Sequence, residues 1–243
     1  MTPSSPAAEL ARQTCTAPAE RSDRMRDIVV AEAPRGAIRV LDLGCGTGSL
    51  VERLADALPD ASILGIDLSF ANIDAARRGA RRDAERVRFE VADYLALDAG
   101  PFDVIVSDGV LHLIAGDTAA LVAKLARDLG SGGVFVCDMP YACAYNTAFA
   151  LVRRVLRTIR GAWLDRVVLA IGRWLHAGEM DESGLRERVG YMYMPPARVM
   201  DVEFVRALAA AGLRRKAEYP AKSTSPSQLR HRVTVFVREA ARR

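Results

Sequence analysis

In the stretch LDLGCGTGSL, residues 41 to 50, the acid Asp42 is followed by glycines at positions 44, 46 and 48. Glycine has no Cβ, so such a turn can enter left-handed dihedrals and lay bare backbone against a ligand. Further acids recur downstream: Asp67 ends ILGID, Asp93 ends FEVAD and Asp108 follows VIVS. Each lies at the end of a short apolar, β-branched run, so the acids line one edge if the runs are neighbouring strands. A rim of carboxylates and bare carbonyls accepts protons from hydroxyl, amino or ammonium groups, and no lysine or arginine stands beside the turn to meet a phosphate. His112, in SDGVLHLI, adds a titratable ring in the loop after the fourth run. As a neutral imidazole it could take a proton from a hydroxyl or amine, although a histidine in such a loop can equally be a packing residue.

The elements that must position these groups alternate. A helix is expected over Arg21–Glu32, then strand Arg39–Leu43, helix Ser49–Leu58, strand Ser62–Ile66, helix Phe70–Arg82 and strand Val87–Val91. Strand Val104–Ser107, helix Asp117–Leu129 and strand Gly133–Asp138 continue the pattern. Short β-branched runs separated by helices imply a doubly wound α/β fold, a parallel sheet covered on both faces, with its ligand at the carboxyl edge of the strands. Alternation stops between Tyr141 and Tyr193, where VRRVLRTIRGAWLDRVVLAIGRWLHA reads as a helical insertion over that edge. Pro195-Pro196 breaks the chain, a helix runs to about Ala211 with Gly212 as its cap, and strands Arg214–Tyr219 and Arg232–Arg238 close the sheet. The expected organisation is a mobile arm over 1–20, an α/β cofactor domain over 21–140 and 195–243, and a helical lid over 141–194.

The chain has 243 residues, is 50% hydrophobic and carries a net charge of +4, as suits one large globular domain with a well-buried core. Only Lys124, Lys216 and Lys222 among its 34 basic residues are lysine, a skew that accompanies abundant alanine and argues against reading the charge as a nucleic-acid footprint. Cys15, Cys45, Cys137 and Cys143 are scattered and form no metal-ligand spacing with the three histidines, so no metal is expected and the thiols read as reduced. The opening MTPSSPAAEL lacks a secretory pattern, and no stretch approaches the roughly 20 apolar residues of a membrane span. A cytoplasmic location is the expectation; a homodimer is compatible with the sequence.

Three ligands compete for the glycine turn. A phosphate-gripping loop needs a longer spacing ending in Gly-Lys-Ser/Thr, whereas Gly48 is followed by Ser49, Leu50, Val51 and Glu52. A dinucleotide fingerprint wants its third glycine one residue later, with Ser49 standing where glycine or alanine packs best. S-adenosylmethionine carries no phosphate but has an ammonium and a sulfonium, which Asp42 and the turn carbonyls suit. Asp67, 19 residues after Gly48, is placed to accept both ribose hydroxyls, as it would be for NAD. Asp93 is placed to accept the adenine amine with the Tyr94 amide beside it, and Asp108 completes the edge.

LDLGCGTGSL, ILGIDLS, VRFEVADYLAL, FDVIVSDGVLHLI and GGVFVCDMP resemble, in order and spacing, the motifs of class I S-adenosylmethionine-dependent methyltransferases. The resemblance spans about Ile38 to Tyr141 and returns more weakly from Asp201 to Glu239. It implies a seven-stranded sheet with the last strand antiparallel, and S-adenosylmethionine as cofactor. It further implies that Asp42, Gly44, Cys45, Gly46 and Gly48 cradle the methionine moiety. By the same resemblance Asp67 holds the ribose with Leu68 against the adenine, and Asp93 meets the adenine amine.

The acceptor side is less legible. His112 is the candidate catalytic group, and Tyr141, Tyr145, Tyr191 and Tyr193 are candidate substrate-binding residues near the mouth, though YMYM also fits a short half-buried strand. In the insertion, Arg153, Arg154, Arg157, Arg160, Arg166 and Arg173 face only Asp165. They read as the solvated face of an amphipathic cap, with two sharper alternatives: an arginine reaching inward to a substrate anion, or, with Trp163 and Trp174, contact with a membrane surface. The loop lacks the Asn/Asp-Pro-Pro-Tyr signature of nucleic-acid amino methylation, so no nucleic acid is expected, and His231 reads as structural. The function expected is methyl transfer to an oxygen or nitrogen of a small-molecule acceptor, an anionic metabolite or biosynthetic intermediate. The alternatives are a regulatory protein that binds the cofactor without turnover, and an NAD-dependent oxidoreductase.

Overall fold

The structure, a computed structural model, describes residues 15–81, 85–175, 186, 189–190, 193–220 and 229–239. Helix α1 (Ala19–Glu32) precedes an alternating series: β1 (Arg39–Leu43), α2 (Ser49–Ala57), β2 (Ser62–Asp67), α3 (Phe70–Gly79), β3 (Val87–Val91) and β4 (Phe102–Asp108). A 3-10 turn at Leu111–Leu113, α4 (Thr118–Asp128) and β5 (Leu129–Pro140) follow. Two helices, α5 (Ala144–Thr158) and α6 (Ala162–Leu175), then lead to α7 (Val202–Ala210), β6 (Leu213–Pro220) and β7 (His231–Arg238).

All seven strands form one sheet in the order β3-β2-β1-β4-β5-β7-β6. Strands β1 to β5 pair in parallel, and β7 runs antiparallel to both of its neighbours. The doubly wound fold is therefore as the alternation implies, and the reversed last strand as the resemblance implies. In β1 every residue after Arg39 is buried, the apolar run expected of a parallel strand covered on both faces. Alternate side chains separate two cores: Val40, Val104 and Val136 pack with α1, α2 and α3 through Val29, Leu54 and Ile73. Leu41, Ile105 and Phe135 pack with α4 and α7 through Leu125 and Leu208. Strand order reverses between β1 and β4, so the crevice opens where the glycine turn and the loop after β4 leave the sheet.

Several boundaries differ from expectation for local reasons. Helix α1 starts at Ala19, inside the segment expected as an arm; residues 1–14 lie outside the described residues. Helix α3 ends at Gly79 rather than Arg82, and α7 starts at Val202 because the Asp201 carboxylate accepts the Phe204 amide at 2.7 Å and caps it. Strand β5 extends to Pro140, lengthened by its pairing with β7. The alternation expected in YMYM is not described as a strand: Tyr193 is a buried turn residue, and Tyr191 and Met192 lie outside the described residues. No described helix is long and apolar enough to cross a membrane.

Candidate functional site

Gly44, Gly46 and Gly48 all have positive φ, at 79°, 54° and 84°. The turn is stitched to β2, since the Gly44 and Cys45 amides both donate to the Ile66 carbonyl at 2.8 and 2.9 Å. Asp67 holds it from the same strand end through Oδ2, which accepts the Gly46 amide at 3.0 Å, while Oδ1 accepts the Ser69 amide ahead of α3 at 2.8 Å. Each oxygen retains acceptor capacity beyond that bond. The chain before α1 closes over the turn, with the Cys15 amide donating to Asn72 Oδ1 at 2.7 Å and the Thr16 and Thr47 hydroxyls 3.1 Å apart. Cys45 itself is buried, and its thiol is pushed well up by burial and by Asp42 and Asp67. It packs in the core, so only its backbone is offered to a ligand.

Beneath the turn Asp42 is 1% exposed, and neither carboxylate oxygen has a hydrogen-bond partner among the described residues. Burial pushes its pKa well above the ordinary 3.8, and the charges of Asp108 and Asp67 push it further. A buried carboxylate without a donor is costly unless something cationic arrives. Asp93 is exposed at the end of β3, where Oδ1 accepts the Leu95 amide at 2.9 Å. Leu68 is 42% exposed beside Asp67. Tyr94 points into the core, with the Lys124 ammonium 4.7 Å above its ring, so its side chain is withdrawn from the crevice and only its amide could serve a ligand.

Asp108 differs from the sequence expectation. It is no open rim acid: the Arg21 guanidinium of α1 reaches it through Nε at 2.7 Å and Nη2 at 2.6 Å, and Nη2 also meets Asp138 at 2.9 Å. Asp108 and Asp138 are register partners on β4 and β5, which forces the two acids together. Burial raises Asp108, with Asp138 adding to the rise and Arg21 opposing it. Burial opposes ionisation of Asp138 too, but Arg21 and then His231 outweigh it and hold its carboxyl below the usual carboxylate range. His231 Nδ1 lies 3.4 Å from Asp138, and its ring meets His112 edge-on at 5.3 Å.

Replacing Arg21 with methionine should therefore remove the cation that Asp108 and Asp138 share, leaving only His231 beside Asp138. Asp108, already raised by burial, would lose the charge that opposes the rise, so its stabilisation is full at acid pH and is lost as pH rises through the raised native value. Arg21 is 39% exposed, which discounts the loss to about 1–3 kcal/mol. Denaturant unfolding should show a small deficit near pH 4 that widens toward neutrality.

His112 is 5% exposed in the 3-10 turn after β4, and its Nδ1 is buried without a partner among the described residues. Burial pushes its pKa well below the ordinary 6.5, helped by His231 and Arg153, so the ring is neutral. The loop carrying it is clamped by Arg198, which donates to the carbonyls of Leu111, Ile114 and Gly116 at 3.1, 2.6 and 3.1 Å. The Ala197 amide donates to the His112 carbonyl at 2.8 Å. Of the tyrosines, Tyr145 stacks on Phe149 at 5.7 Å, and the Arg230 guanidinium sits 4.7 Å from its ring. Tyr193 is 2% exposed under Arg160, 4.6 Å from its ring. Tyr141 stands apart, lining with Met200, Val205 and Arg232 an open groove of about 350 Å³ beside α7. Tyr191 lies outside the described residues. The four tyrosines are thus not shown to form one wall.

A methyltransferase domain matches residues 40–133, from β1 into β5. A trans-aconitate 2-methyltransferase of Deinococcus radiodurans is 37% identical over 120 residues, covering 49% of this chain and 45% of that protein. A ubiquinone biosynthesis O-methyltransferase of Chelativorans sp. is 31% identical over 191 residues, covering 72% of each chain. The chain belongs to the class I S-adenosylmethionine-dependent methyltransferases. Magnesium protoporphyrin IX methyltransferase of Synechocystis PCC 6803, solved with S-adenosylhomocysteine, shares the fold at a TM-score of 0.60 and 18% identity, over 91% of this chain and 83% of that one. The chain spans about half the length of the trans-aconitate 2-methyltransferases it matches.

S-adenosylmethionine is the cofactor of this methyltransferase family, and the residues present fit it. The glycine positions of the turn offer bare backbone, a Cβ on Gly46 would come within 2.4 Å of the Cys15 carbonyl, and Asp42 is a buried carboxyl with no hydrogen-bond partner among the described residues, below a cationic ligand's seat. Among the described residues no group of three or more His, Cys, Asp or Glu could hold a metal ion. Arg21, Asp138 and Arg198 are the residues of the site that sequence reasoning passed over. Asp138 had a signal, since it ends VFVCD as the other acids end their strands; Arg21 and Arg198 had none, because their partners lie 87 residues away or are backbone carbonyls.

Proposed function

We propose that the protein transfers a methyl group from S-adenosylmethionine to an oxygen of a small anionic acceptor. The observation that carries the cofactor half is the unpaired, buried Asp42 beneath a glycine turn at the sheet's switch point. The acceptor half is supported by relatives whose names specify trans-aconitate, a tricarboxylate, and an O-methyltransferase, and by the basic α5–α6 segment that follows β5. When bound, the cofactor supplies an electrophilic methyl group on a sulfonium. The chain's own contribution is to hold the donor and orient the acceptor, which can supply most of the rate gain in a displacement. In this reading Asp42 meets the ammonium, while the open acceptor positions of Asp67 and Asp93 receive the ribose hydroxyls and the adenine amine. Helices α5 and α6 act as the lid.

His112 has two uses that depend on the acceptor. A hydroxyl must lose its proton, and the neutral ring can take it; a carboxylate has no proton to lose and needs only a hydrogen bond for orientation. Since burial depresses His112, the ring stays neutral to well below pH 6.5. The pH profile of kcat/KM should therefore show no histidine limb near 6.5 and should fall only at lower pH. His112→Asn should reduce kcat by about 10²-fold for a hydroxyl acceptor and by less for a carboxylate. Incubation with methyl-labelled S-adenosylmethionine and a panel of carboxylates, trans-aconitate included, should yield base-labile labelled ester. Failure to bind S-adenosylmethionine would refute the cofactor half, and binding without transfer to any anion would refute the acceptor half.

A further inference from the structure

Arg153 lies on α5 in line with Tyr145 and Phe149, residues four apart that share one helix face. It is 9% exposed, its guanidinium rests 4.9 Å over the Phe149 ring, and Nη1 donates to the Met194 carbonyl at 3.1 Å. Its Nε is buried with no partner, and among the described residues no carboxylate pairs with it. Of the other buried cations, Lys124 donates to Asp128 at 2.6 Å. Arg198 also has an unpartnered Nε among the described residues, but its two Nη groups are spread over three carbonyls where Arg153 has one. Burial draws Arg153 down to about 10, opposed only by Tyr145 and by no carboxylate. One short segment ties Arg153 to the His112 loop: Met194 accepts from Arg153, and three residues on the Ala197 amide donates to the His112 carbonyl at 2.8 Å.

A buried guanidinium is tolerated when an anion completes it. The Nε edge is the side that offers two parallel N–H donors to a carboxylate. We propose that Arg153 is the specificity-determining residue of the acceptor site, binding a carboxylate of the acceptor through its Nε edge while His112 faces the oxygen to be methylated. This rests on the methyl-transfer reading above and adds the residue that selects the substrate's charge. A neutral acceptor would leave the guanidinium desolvated and unpaired, so the site discriminates against esters and amides of its own substrates.

The test uses the full chain saturated with S-adenosylhomocysteine, with citrate and glutarate as anionic probes and trimethyl citrate as the uncharged control, followed by calorimetry. At least one anion should bind and trimethyl citrate should not. Arg153→Met should weaken that binding at least tenfold while affinity for S-adenosylhomocysteine stays within twofold, which also shows that the variant is folded. Arg153→Lys keeps the charge but loses the fork and should weaken it at least threefold; it carries the comparison if the methionine variant does not fold. Undiminished anion binding in the variants, equal binding of trimethyl citrate, or no binding of either anion to the parent would overturn the proposal while leaving the cofactor site intact. Absence of S-adenosylhomocysteine binding by the parent would instead remove the reading on which it rests.

Discussion

Asp42→Asn should lower the affinity for S-adenosylmethionine by about 10- to 100-fold, the worth of one charge-assisted hydrogen bond in a buried site. The same change should leave affinity for 5′-methylthioadenosine, which lacks the amino-acid moiety and its ammonium, nearly unaltered. Calorimetry with the two ligands checks this, and equal losses for both would mean that Asp42 supports the turn rather than meeting the ligand's cation. The variant should also behave unusually in stability. Because the native pKa of Asp42 is raised, its contribution is full below the ordinary value of 3.8 and is lost as pH climbs through the native value. The asparagine variant carries no such titration, so without ligand its melting temperature should gain on the parent's as pH rises from 4 toward 8. Ligand binding by the parent near and below the raised pKa should release a proton, seen as a buffer-dependent heat; the variant should release none.

Gly46→Ala should remove cofactor binding by at least 10²-fold. Its φ of 54° is left-handed, and the added Cβ would stand 2.4 Å from the Cys15 carbonyl, which is backbone and can give way only if the segment ahead of α1 lifts off the turn. The strain by itself costs about 1–2 kcal/mol for a residue with a Cβ. Gly36→Ala separates the two effects, since Gly36 also has positive φ, 101°, but nothing lies within 4 Å of its Cβ position. That control should lose comparable stability and retain binding. If Gly46→Ala binds the cofactor as tightly as Gly36→Ala, the cradle has been misplaced.

Asp42 and Gly46 are both legible in the amino-acid sequence, because each takes its role from a local property of the chain. Alternating apolar runs and helices produce the doubly wound sheet, and the first crossover of such a sheet is where bare backbone and a strand-end carboxylate meet. The glycine spacing therefore locates the turn. It does not disclose that Asp67 spends one oxygen's acceptor position on the turn's Gly46 amide and the other's on the Ser69 amide ahead of α3, nor that Tyr94 is drawn into the core by Lys124 and its neighbours. The segment between β5 and α7 is legible only as helix, because helical spacing of apolar residues says which face is covered and not which arginine is turned inward. Of the six arginines singled out there, Arg153 is the one that is buried, and nothing in its neighbourhood in the sequence distinguishes it from Arg154.

From the sequence alone came the doubly wound sheet and the cofactor's edge of the crevice, because backbone periodicity and glycine geometry act over a few residues; the reversed final strand came from the family resemblance. Tertiary structure decided the acceptor side. Register between β4 and β5 sets Asp108 beside Asp138, packing of α1 on α2 brings Arg21 to bridge them, and folding of α5 buries Arg153 with no carboxylate paired to it among the described residues. Charge pairing and desolvation depend on which surfaces are pressed together, and that is settled by contacts between residues far apart in the chain.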